Sequence, residues 1–118
     1  MKNKIFFGLV TILFMSSVIF AHPPDSLKVS FDTTGTIMTI RALHSVKTPN
    51  THFILQITVD LNGKQLITQN FSSQVNKNEQ VTIYKIIDAK KNDKIGITAQ
   101  CNIMGKKKET FIYTFSKQ

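Results

Sequence analysis

The chain is short of several things, and each shortage narrows what it can be. It has one cysteine, Cys101, so no disulfide can form within it. That excludes the disulfide-stapled class of small secreted domains. A lone thiol in an oxidising compartment must be buried or bound to something. No cysteine lies near residue 21, which argues against a bacterial lipoprotein. Acidic residues are few, 7 against 15 Lys and Arg, giving a net charge of +8. The basic residues are nonetheless scattered, except for Lys106-Lys107-Lys108. Such a run reads as a solvated loop, so nucleic acid is not an expected partner. The positive field would instead draw in a small anion. There is no internal repeat, no low-complexity linker and no helical periodicity after the first segment.

One long hydrophobic run is present, and it is at the beginning. Lys2 and Lys4 precede an apolar stretch from Ile5 to Phe20, and Ile19 and Ala21 occupy the −3 and −1 places of a cleavage site. His22-Pro23-Pro24-Asp25 follows at once, and proline cannot continue a helix. The expectation is a signal peptide over 1–21 and a secreted or periplasmic domain over 22–118, with no membrane attachment after cleavage. Removing residues 1–21 from 118 leaves 97, enough for one modest core, and loses two lysines, leaving about +6.

What remains reads as strands. Leu27–Phe31 alternates apolar and polar residues, and residues 36–43 return after the turn Asp32-Thr33-Thr34-Gly35. Phe53–Leu61 is rich in β-branched residues, and Asn62-Gly63 after it is a strong hairpin signal. Residues 64–71, 81–87, 94–101 and 109–115 supply four more strands. About seven short strands separated by polar turns predict an all-β, immunoglobulin-like antiparallel sandwich. Ser45–Thr51 and Ser72–Gln80 are its longest irregular stretches.

The residues able to carry chemistry sit at strand ends. His22 opens the domain, His44 ends the second strand, His52 opens the third, and Cys101 ends the sixth. Strand ends at one pole of a sandwich meet in space, and one loop joins His44 to His52. Three imidazoles and a thiolate suit a transition metal. A spacing of seven residues between His44 and His52 is not by itself a metal motif. No residue marks itself as the outer group that would orient these imidazoles.

These residues together resemble the superoxide reductases, the neelaredoxin and desulfoferrodoxin iron domain. His22-Pro23-Pro24 is similar to that family's H-x-P motif. The segment from His44 to His52 looks like its histidine pair around a Pro-containing loop. Cys101-Asn102-Ile103-Met104-Gly105 looks like its C-N-x-H-G motif. The resemblance implies a mononuclear non-haem iron, with His22, His44 and His52 equatorial and Cys101 axial. It also implies reduction of superoxide to peroxide with an unidentified electron donor. Two places depart from the pattern. Met104 stands where the fourth histidine belongs, leaving a weak thioether donor. The family's Glu-Lys pair before the first histidine is replaced by Phe20 and Ala21. Lys47, in the histidine loop, is a weak candidate for the missing anion-attracting charge.

Two other functions draw on the same chain. One is a periplasmic copper-binding carrier, in which the α-amine and imidazole of a processed His22 chelate copper together with the other N and S donors. The other is a metal-free interaction domain that keeps the sandwich and has lost the site. Assembly as a homo-oligomer is left open.

Overall fold

The computed structural model describes residues 22–116; the expected signal peptide lies outside the described residues. Seven strands follow in chain order: β1 Ser26–Phe31, β2 Ile37–Leu43, β3 Ile54–Leu61, β4 Lys64–Asn70, β5 Glu79–Lys85, β6 Lys94–Cys101 and β7 Lys106–Ile112. They form two antiparallel sheets, β1-β2-β5 and β4-β3-β6-β7, and no helix occurs among the described residues. This is the expected all-β sandwich of immunoglobulin-like type.

Alternation puts one face of each strand inside. Met38, Ile40 and Ala42 of β2 face Ile57 and Val59 of β3 and Ile95, Ile97 and Ala99 of β6, all at most 1% exposed. Burying each large aliphatic side chain contributes roughly 1.5–3 kcal/mol. The hairpin between β3 and β4 turns on Asn62 and Gly63, both at positive φ (51° and 85°), as a type I′ turn demands. On one side β1 lies against β7. On the other, Gln69 of β4 accepts bonds from Thr82 (3.0 Å) and Tyr84 (2.5 Å) of β5, tying the two sheets together.

Three details differ from the sequence expectation. β3 carries a bulge between Ile54 and Gln56, so both Ile54 and Ile57 are buried while Leu55 turns outward. β5 begins at Glu79 rather than Val81, because Leu43↔Glu79 and Ala42↔Gln80 extend its pairing with β2. Lys106–Lys108 is not a loop: it opens β7, paired with Thr98–Gln100 of β6. Within that run Lys106 and Lys108 are exposed. Lys107 turns the other way, and its ammonium donates to the Asp25 carbonyl at 3.0 Å. Strand alternation explains the split.

Candidate metal centre

The pole of the sandwich beyond the C-terminal end of β2 is built from four segments: residues 22–25, the loop 44–52, the loop 72–78 and the turn 102–105. The first is strapped down by the Asp25 N–H to the Leu43 carbonyl (2.7 Å) and by Lys107. Its Pro23 packs on Gly105, where any Cβ would sit 2.9 Å from the Pro23 Cβ and where φ is +84°. Both demands select glycine.

In the second segment, Thr48 starts a single tight turn: its carbonyl accepts from the Thr51 and His52 N–H groups at 3.0 and 2.9 Å. Asn102 then clamps the chain on both sides of His52. Its side chain accepts from Phe53 N–H (2.9 Å) and donates to the Thr51 carbonyl (2.9 Å), while its own N–H donates to the Phe53 carbonyl (3.0 Å). The His52 backbone is thus held by a residue some fifty positions away.

The result is a cluster of three rings. One ring nitrogen from each of His22, His44 and His52 lies within 4.8 Å of the others. Ring centroids are 4.7 Å apart for His44–His52, 4.9 Å for His22–His44 and 5.5 Å for His22–His52. His44 is wholly buried. Its Nδ1 lies 2.9 Å from Gln74 Oε1, and its Nε2 lies 3.3 Å from the His22 carbonyl. His22 sets Nδ1 3.0 Å from the Pro23 carbonyl and Nε2 3.0 Å from the Ser45 carbonyl. His52 Nε2 is buried without any hydrogen-bond partner. Burial holds the His52 pKa below the usual 6.5, and the neighbouring His44 and His22 push it the same way.

This chemistry fits a cation. A buried imidazole nitrogen without a partner costs about 1–3 kcal/mol. A metal ion accepting its lone pair would supply the missing partner. Three mutually close imidazoles form a borderline donor set suited to iron, copper, nickel or zinc, and the Asp25 carboxylate lies 3.9 Å from His22 Nδ1.

Not every expected site residue joins the cluster. Cys101 is buried at the end of β6, opposite Ile54, with Sγ 3.9 Å from Asn102 Oδ1; its sulfur is not one of the atoms in the 4.8 Å group. Met104 is 63% exposed at the tip of the 102–105 turn, and Lys47 is exposed on the histidine loop. The roles the sequence did not reveal are those of Gln74, which meets the His44 imidazole, and Asn102, which holds the backbone on either side of His52. Both are polar residues in irregular segments, and only the fold shows what they touch.

No family model matches the chain, and no curated protein sequence matches it. Its fold is similar to that of a superoxide reductase (1Fe-SOR) from Giardia intestinalis, with a TM-score of 0.57. The superposition covers 77% of this chain and 99% of that one at 17% identity, a level at which the likeness is one of fold.

Proposed function

We propose that this is an exported, superoxide-reductase-like metal-binding protein, with a mononuclear iron held by His22, His44 and His52 and by Cys101. The observation that carries this reading is the three-imidazole cluster with the orphaned His52 Nε2, on a fold like that of a superoxide reductase. Iron bound there would supply one-electron chemistry: superoxide gains one electron and two protons and leaves as hydrogen peroxide. The protein's own residues would do the rest. The histidines bind and orient the ion, and the Cys101 thiolate would add electron density to it. Lys47 and the net positive charge would attract the anionic substrate.

The test is to load metal-free protein, spanning residues 22–118, with Fe(II). One equivalent bound, a thiolate-to-iron absorption band on oxidation that bleaches with reductant, and one peroxide formed per iron on exposure to superoxide are the expected results. Failure to bind iron stoichiometrically overturns the reading. Binding without the thiolate band removes Cys101 from it. The gathered ligand atoms are all nitrogens, which also suits a copper-binding carrier. That reading gains if one copper binds in place of iron and is lost when the chain is extended by one residue before His22. If neither metal binds or raises the melting temperature, the metal-free interaction domain remains.

A further inference from the structure

The loop between β4 and β5 sends one side chain into the site from behind. Gln74 is 4% exposed, and every polar atom of its amide is engaged. Nε2 donates to the His44 carbonyl at 2.7 Å and to the Asn76 carbonyl at 2.9 Å. Oε1 accepts from the Ile54 N–H at 3.3 Å and lies 2.9 Å from His44 Nδ1. Two carbonyls can only accept and one N–H can only donate, so the amide has a single satisfactory orientation. Its oxygen therefore faces His44. Gln80, itself buried, fixes the loop: it donates to the Ser73 carbonyl (2.8 Å) and accepts from the Val75 N–H (3.1 Å).

An amide oxygen has lone pairs and no proton to give. His44 Nδ1 must then carry the hydrogen, and in neutral His44 the lone pair is on Nε2. That lone pair points toward the His22 carbonyl oxygen 3.3 Å away, acceptor against acceptor. A cation between the rings would relieve this contact.

We propose that Gln74 is a positioning residue that locks His44 in its Nδ1–H tautomer, so that Nε2 is the one nitrogen His44 can offer a metal. The ligand half of this proposal rests on the metal-binding reading; the tautomer half does not.

The experiment uses the protein over residues 22–118 with ¹⁵N-labelled histidine. In the metal-free state, long-range proton–nitrogen correlation should show His44 with protonated Nδ1 and bare Nε2. A predominant Nε2–H form overturns the proposal. Addition of ¹¹³Cd(II) as the probe should give cadmium–nitrogen coupling at His44 Nε2. Coupling at Nδ1 instead overturns the proposal alone. Coupling at none of the three histidines overturns the metal reading and the ligand half with it. Gln74→Leu should weaken Cd(II) binding by about 10- to 100-fold, the usual cost of losing an outer partner. Gln74→Leu should also raise the Nε2–H population of His44 in the metal-free protein. Weakened binding with an unchanged tautomer would make Gln74 merely structural and overturn the proposal. The wild-type tautomer measurement decides the tautomer half even if Gln74→Leu fails to fold.

Discussion

The two poles of this sandwich are made from the same strands and satisfied in opposite ways. β2 runs between them, with Gly35 just before its first residue, Ile37, and His44 just after its last, Leu43. At the Gly35 pole the polar groups are matched. The Tyr113 hydroxyl donates to the Gly35 carbonyl at 2.6 Å, and the rings of Phe31, Tyr113 and Phe115 pack at 5.3–5.5 Å. The Asp32 carboxylate accepts from the N–H groups of Thr36 and Ile37, and Asp93 from Asn62 and Lys90. These donors hold both carboxyls below the usual aspartate value; for Asp32 the Ile37 N–H is the largest cause, and for Asp93 the Asn62 side chain. At the histidine pole the signs reverse. Burial disfavours charge on His52, its Nε2 has no partner, and carbonyl oxygens face the nitrogens of His22 and His44. A fold can complete one end for stability and leave the other incomplete for a ligand.

If that contrast is right, damage at the two poles should separate. The largest effect expected is from Tyr113→Ala. Loss of this fully buried ring should cost about 3–5 kcal/mol in urea denaturation, with metal affinity of the folded fraction unchanged. A parallel collapse of metal affinity would break the comparison. Gly35→Ala comes next. Its Cβ would sit 2.5 Å from both the Phe115 ring and the Tyr113 oxygen, at φ +70°. The positive φ alone should cost about 1–3 kcal/mol, again with no change in metal binding. His52→Leu should do the reverse. It removes an unpartnered buried nitrogen, so metal-free stability should rise, by up to about 1–3 kcal/mol. Metal affinity should fall by more than about 100-fold, beyond what losing an outer partner costs.

The smallest effect is in pH. The folded value of His52 lies below 6.5, so between the two the native protein binds fewer protons than the unfolded chain. This contribution to metal-free stability is complete above 6.5 and is lost as pH falls through the folded value. The contributions of Asp32 and Asp93 are complete above 3.8 and lost only below it. Two separated acid limbs in a stability–pH curve, the upper one removed by His52→Leu, would sharpen the comparison. A single limb near 3.8 would blunt it.

The same contrast explains what could be read from residues alone. The strands were legible because alternation and Asn62-Gly63 are local signals, and His44 and His52 were paired because one loop joins them. The bulge at Ile54 was not legible: Leu55 is as apolar as its neighbours, and only the offset pairing with Cys101 and Gln100 turns it outward. The Lys106–Lys108 run misled for a similar reason. Composition cannot tell a solvated loop from a strand whose alternate lysine reaches back to Asp25. Gln74 gave no signal, and Asn102 was read only as a motif position, because an amide declares no chemistry until the fold shows what it holds. The position of Cys101 relative to the histidines belongs to the same class, since no local pattern specifies it.

The strap over residues 22–25 carries a further consequence, in time rather than in space. Lys107 and Asp25 are 82 positions apart, Asn102 and Thr51 are 51 apart, and Gln74 and His44 are 30 apart. Closing such long loops is the slow part of folding a β-sandwich. The histidine cluster therefore needs these long-range pairings in place, as does the Gly35 pole, where Tyr113 reaches back 78 positions. Metal uptake during refolding should therefore not run ahead of burial of the core. Capture of the ion would then mark the end of folding rather than its start.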